Sequence, residues 1–309
     1  MTEIKGLVAP EETDLKEYLV QILRYKYLIF GISISFALVV AIGSLFLPNV
    51  YRAETILAPV ADNSALKVPG QLGSLAALAG VNLGGLDGGG KSVLALELLK
   101  SRDFIIRFID QHKLLVPLMA AKGWDQNQDK VIIDADEYNE ESKIWVRDVK
   151  APIKPEPSMQ EAYEEFKDIF AVSQDKMTSM VKISIEHVSP NVARDWVLLL
   201  TKDINNEMKQ RDLIEAEQSI RYLNEQIAQT NISEIKTMLF SLVEEQTKTI
   251  MLANVRDEYV FKTIDPPLAP EKKIKPARAL LVVLGFLLGF FLTAFFVIFR
   301  MSMRTEKSA

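Results

Sequence analysis

The chain contains no cysteine and only two histidines, His112 and His187. Thiol catalysis, thiolate zinc sites, iron–sulfur clusters and disulfide scaffolds are therefore excluded. The histidines stand far apart in sequence, without the spacing of a metal site or of a base and nucleophile, and read as structural residues. An excess of basic charge is also missing: the formal net charge is -5, which argues against a nucleic-acid partner. Neither glycine nor proline occurs between Pro190 and Pro266, and no charged residue occurs in two runs, Leu28–Leu47 (LIFGISISFALVVAIGSLFL) and Leu280–Phe299 (LLVVLGFLLGFFLTAFFVIF).

Each uncharged run has the length of about 20 residues that an α-helix needs to cross roughly 30 Å of hydrocarbon, so 28–47 and 280–299 read as transmembrane helices. The polar stretch 1–27, the long apolar core and the following PNVYRAE argue against a cleaved signal peptide. Lys16, Arg24 and Lys26 before the first span, against Arg52 after it, favour a cytoplasmic N-terminus. Two spans then return 300–309, with Arg300, Arg304 and Lys307, to the same side. Lys272, Lys273, Lys275 and Arg278 oppose that orientation, but a segment as long as 48–279 is translocated largely regardless of charge.

Between the spans, YRAETILAPV (51–60) is rich in strand formers. The Gly-rich 70–92 reads as mobile. Two short helices follow, on Val93, Leu94, Leu98 and Leu99, then on Phe104, Ile105, Phe108 and Ile109 behind a Ser101 cap. SMQEAYEEF has capping-box spacing at Ser158 and Glu161. MVKISIEHV alternates, with Val181, Ile183 and Ile185 on one face and Lys182, Ser184 and Glu186 on the other. Ser189 and Pro190 open a long helix. Its first part, WVLLLTKDI, should pack on the sheet; further on the apolar stripe narrows to Leu213, Ala216, Ile220, Leu223 and Ile227, a seam for another helix. Glu207 with Arg211 and Glu217 with Arg221 read as solvated pairs. AQTNISEIK is the expected break, with Asn231 capping a second helix and Glu234 reaching back. Ile235, Leu239, Leu242 and Ile250 restart the stripe, giving a helical hairpin over about 190–256. This hairpin reads as a projecting arm or a seam between subunits. EYVFKTI then returns as a strand.

Three motifs invite chemistry. GLDGGGKS (85–92) matches the phosphate-loop pattern G-x-x-x-x-G-K-[ST], and VIID (131–134) could imitate a magnesium-orienting strand. That pattern requires a preceding buried strand in a βαβ sheet, whereas LAALAGVNLG precedes it here, so a flexible loop is the favoured reading and an NTP-using membrane enzyme the alternative. DAD (134–136) has a metal-holding spacing, but carboxylates need a convergent pocket to bind a metal. The chain offers no catalytic residues, cofactor-binding residues or metal ligands on this reading. Gly285 and Gly289 form G-x-x-x-G, with Thr293 one turn on, a face that a second helix can approach closely; Gly31 with Ser35 and Ala37 with Ala41 are the candidates to meet it. In 265–278, Pro266, Pro267, Pro270 and Pro276 stiffen the chain, while Lys272, Lys273, Lys275 and Arg278 suit anionic head groups: a strut at the membrane.

Taken with the two terminal spans, the stretches LAALAGVNLG, ALELLKSRDFI, RDLIEAEQSIRYLNEQIA and MLANVRDEYVFKTIDPPLAPEKKIKP resemble the chain-length determinant family, the polysaccharide co-polymerases of bacterial inner membranes. The resemblance implies an α+β membrane protein: two transmembrane helices flanking a periplasmic α/β base with a long extended helical hairpin, assembled as a coiled-coil-containing homo-oligomer. It also implies a non-enzymatic regulator of O-antigen length in lipopolysaccharide biosynthesis, working with a separate membrane polymerase and the growing lipid-linked glycan, without the tyrosine kinase that some relatives carry after the second span. A chemoreceptor, the other common two-span arrangement, would need a cytoplasmic signalling domain.

Overall fold

A computed structural model describes residues 25–60 and 89–305. It separates into two units: 49–274, and a second in which the two apolar helices lie. Within the described residues, α1 (Lys26–Leu45) and α8 (Arg278–Thr305) are long and apolar enough to cross a membrane. Pro48 lies just beyond the end of α1, and Pro276 just ahead of α8, where a missing N–H costs no intrahelical bond.

The α/β unit is built on an antiparallel sheet of order β6-β7-β1-β8, formed by β6 (Phe170–Gln174), β7 (Val181–His187), β1 (Tyr51–Pro59) and β8 (Phe261–Asp265). Register runs from Tyr51↔His187 to Leu57↔Val181, so Ala53, Thr55 and Leu57 share the buried face with Val181, Ile183 and Ile185. On the other face Arg52 pairs with Glu186, and Lys182 Nζ donates to Glu54 at 3.0 Å. Ser184, expected on the exposed face, is also buried.

Helices cover the apolar face: α2 (Gly89–Lys100), α3 (Arg102–Gln111), α4 (Leu115–Met119), α5 (Met159–Ile169) and the start of α6 (Pro190–Gln229). Ser101 accepts from Phe104 N, Ser158 and Glu161 close the expected capping box, and Ser189 accepts from Val192 N ahead of Pro190. Aromatic rings fill the core, with Phe166 edge-on to Phe108 at 5.6 Å and stacked on Trp196 at 6.1 Å. On α2 Ser92, Ala95, Leu96 and Leu99 are buried; Val93 and Leu94, expected inside, are exposed. Gly89 to Ser92, expected in a mobile loop, form the first turn of α2; the rest of the Gly-rich stretch, through residue 88, lies outside the described residues.

Between α4 and α5 the chain makes two hairpins that periodicity did not reveal, β2 (Ala121–Asp125) with β3 (Lys130–Ile133) and β4 (Tyr138–Asn139) with β5 (Ile144–Trp145). Strands of four or five residues or fewer are too short for alternation to register.

Candidate functional site

The long helix α6 has 40 residues, about 60 Å at 1.5 Å per residue. Ala193, Trp196, Val197, Leu200, Ile204 and Met208 are in the core; beyond Met208 the helix contributes nothing to that core and pairs with α7 (Ser233–Val255). The arm is thus a hairpin. Ala216 is buried and Leu213, Ile220, Leu223 and Ile227 are half-buried on α6, as are Leu239, Leu242 and Ile250 on α7, so the predicted stripe serves the hairpin of a single chain. Ile235 falls outside it and is exposed. The expected Asn231 cap is absent: α7 begins at Ser233, with Ile232 in the capping position and no side-chain bond there. Large apolar side chains also face outward, Ile214 and Tyr222 on α6 and Met238 and Phe240 on α7.

The root of the arm is held by polar groups for which the sequence gives no periodic signal. Buried Asn205 accepts through Oδ1 from the backbone N–H groups of Tyr259, Val260 and Phe261 at 2.8–3.0 Å. Its Nδ2 donates to the carbonyls of Thr201 and Phe261. One carboxamide therefore fixes where the returning chain enters β8. Seven residues along α6, Asp212 accepts from Tyr259 Oη at 2.6 Å and from Lys91 Nζ at 2.8 Å. Glu207, read as solvated decoration, bridges elements instead: Arg107 of α3 and Arg211 both donate to it, and the bond from Arg107 foremost holds its carboxylate below the usual range.

The enzyme-like motifs are taken up in structure. Lys91 is in the ion pair to Asp212, and β1, the last strand before the motif among the described residues, is antiparallel to both of its neighbours, unlike the βαβ sheet that a phosphate loop requires. Residues 85–88 of that motif lie outside the described residues. Asp134 accepts from Lys122 Nζ at 2.9 Å and from the N–H of Asp136, and these bonds, that to Lys122 first, lower its pKa. Among the described residues no group of three His, Asp or Glu is placed to hold a metal. His112 bonds Asp203 at 2.7 Å. His187 accepts from Ser189 N on Nδ1, which leaves its proton on Nε2 to donate to Pro117 O at 2.9 Å; burial pushes its pKa down.

The basic, proline-rich stretch is divided. Pro266, Pro267, Pro270, Lys272 and Lys273 belong to the α/β unit, whereas Lys275, Pro276 and Arg278 belong to the helical unit. Pro267 is buried and Pro270 half-buried, while Pro266, Lys272 and Lys273 are exposed. Ile274 N donates to Val50 O at 2.8 Å and Lys273 Nζ to Asn49 Oδ1 at 2.9 Å, joining the two exits of the α/β unit side by side.

In the helical unit α1 and α8 pack antiparallel: a Cβ built on Gly285 would lie 2.8 Å from Val40 Cγ2, and one on Gly289 would lie 2.9 Å from Phe36 Cβ and 3.0 Å from Ser33 Cα. Thr293 is buried on the same line, its hydroxyl donating to Gly289 O at 2.6 Å. Of the expected facing residues Ala37 and Ala41 are half-buried, but Gly31 meets nothing within 4 Å and Ser35 is exposed; Ser33, Phe36 and Val40 take their place.

Residues 11–112 match the family model of the chain length determinant protein, Wzz. The matched segment includes α1, β1, α2 and α3. Among solved structures, a full-length bacterial polysaccharide co-polymerase is similar at 13% identity with a TM-score of 0.40, over 96% of this chain and 100% of that one. No curated protein matches.

Proposed function

We propose that this chain regulates the length of a bacterial surface polysaccharide, the O-antigen of lipopolysaccharide, as a non-enzymatic, oligomeric scaffold in the inner membrane beside a separate polymerase. The chain length determinant match over 11–112 carries the reading. In this arrangement 28–47 and 280–299 span the bilayer, 1–27 and 300–309 are cytoplasmic, and 48–279 is periplasmic, with the proline-rich 265–278 as its stiff lower link. The oligomer holds polymerase or lipid-linked glycan long enough to bias termination and forms no glycosidic bond itself.

Two observations support the scaffold over an enzyme. Lys91 and Asp134, the reactive-looking members of the two chemical motifs, are engaged by Asp212 and Lys122. The arm also carries outward Ile214, Tyr222, Met238 and Phe240 after its own seam is satisfied, which suits contact between copies. The test is gel analysis of surface polysaccharide from cells with and without the gene. Loss should redistribute the ladder of glycan lengths with sugar linkages intact; an unchanged ladder refutes the proposal.

A further inference from the structure

The sheet of the α/β unit ends in two edge strands, and the chain treats them differently. On β8 the main-chain groups turned away from β1 are covered from within the chain: Asn205 Oδ1 accepts from Phe261 N, Asn205 Nδ2 donates to Phe261 O, and Glu258 Oε1 accepts from Thr263 N at 2.8 Å. On β6 they are open. Asp175 N donates to Met180 O across the turn into β7, so the alternate residues Ser173 and Ala171 also turn their peptide groups toward β7, while Phe170, Val172 and Gln174 turn theirs outward. Phe166 O takes the N–H of Phe170 at the end of α5. Among the described residues nothing pairs with the N–H groups of Val172 and Gln174 or with the C=O groups of Phe170, Val172 and Gln174.

The β6 strand also lacks the devices that keep a free edge from pairing. FAVSQ has no charge and no proline, and its register with β7 runs from Phe170↔Ile185 to Gln174↔Val181 without a bulge. On the face away from the helices it shows only Ala171 and Ser173, both exposed and small enough to let another backbone lie alongside. A row of N–H and C=O groups recurring every second residue, about 7 Å apart, is complementary to an extended peptide backbone. A second copy of this chain does not supply one. Its β8 is covered in the same way, and two β6 strands pair about a two-fold axis only antiparallel. Phe170 and Ala53 both lie opposite Ile185, so β6 starts at the end of the sheet where Ile274 N donates to Val50 O and the chain enters and leaves the unit. Antiparallel pairing would send the exits of the two copies out at opposite ends, which one bilayer cannot receive.

We propose that the β6 edge takes up an extended segment of the separate polymerase, which joins the four-stranded sheet through main-chain hydrogen bonds. Half-buried Phe170 and Val172 flank that segment on the helix side, so it is apolar at every second position. The proposal rests on the co-polymerase reading, which supplies a different protein acting in the same membrane.

The test uses the full chain in cells that carry an epitope-tagged polymerase. A photocrosslinking amino acid replaces Ser173, beside the open edge, or Lys262, an exposed position on the covered strand β8. Val172→Pro and Gln174→Pro each remove one outward N–H and leave the bonds to β7 in place, a change that an edge strand tolerates. The expected result is a polymerase adduct from position 173 and none from 262. Whichever proline variant keeps the parent urea midpoint should reduce that adduct severalfold and move the glycan ladder to the one seen without the gene. No polymerase adduct from 173, equal adducts from 173 and 262, or an adduct joining two copies of the chain overturns the proposal, as does a folded proline variant with an unchanged adduct or ladder. If neither variant folds, the two crosslinking positions decide by themselves. A ladder unaffected by loss of the gene overturns the co-polymerase reading as well.

Discussion

Gly289→Ala is the sharpest perturbation of the helix pair. The added methyl group would lie 2.9 Å from Phe36 Cβ and 3.0 Å from the Ser33 backbone, where ordinary contact begins at 3.4 Å. A backbone atom cannot rotate away, so α1 and α8 must separate by about half an ångström over the surrounding turn, at a cost of about 1–3 kcal/mol typical of overpacking. Ser33 and Thr293 spend their hydroxyls on Ile29 O and Gly289 O of their own helices, so close packing carries much of this association. Dyes on Phe46→Cys and Leu280→Cys report proximity of the α1 C-terminal and α8 N-terminal ends. The mole fraction of SDS that halves energy transfer measures the pair's stability. Gly289→Ala should lower it and Gly289→Leu should lower it further. Gly31→Leu, at a position with nothing within 4 Å, should leave it unchanged. Equal effects of Gly31→Leu and Gly289→Leu would refute the close-approach reasoning.

Asn205→Ala strips three backbone N–H groups at the arm's root of their acceptor and should destabilise the α/β unit by about 2–4 kcal/mol, read as a lower urea midpoint; a shift below about 0.5 kcal/mol contradicts the clamp. His187 is buried and neutral with a depressed pKa, so its contribution is complete above the unfolded value of about 6.5 and is lost as pH falls toward the folded value, where the unfolded chain binds the extra proton. His187→Gln should flatten that part of the stability–pH curve, and an unchanged slope assigns it to other groups. Lys91→Ala removes a part-exposed ion pair and should cost no more than about 1 kcal/mol with an unchanged glycan ladder; a collapsed ladder at normal stability would revive the nucleotide reading.

Much of the local architecture was legible because it depends on short-range rules. The caps at Ser101, Ser158 and Ser189 need a hydroxyl next to free N–H groups, and the alternation of β7 needs a sheet with one buried face. Asn231 shows the limit of such rules: Asn three residues before Glu satisfied the pattern, yet α7 starts at Ser233. VIID suggested a strand, but the β2–β3 hairpin itself was not legible, because four or five residues carry too little periodicity.

The sequence alone determined the two uncharged stretches long enough to cross a bilayer, the long helix from Pro190 to its break in AQTNISEIK, the exclusion of thiol chemistry, and the stripe from Leu213 to Ile227, since composition and spacing are one-dimensional properties. Tertiary structure decided that this stripe meets α7 of the same chain, that Gly289 faces Ser33 and Phe36 in place of Gly31, and that Asn205 gathers three N–H groups from a segment more than 50 positions away. Those choices depend on which surfaces meet at sub-ångström tolerance, and chain-distant groups acquire a mutual distance only when the fold closes around them.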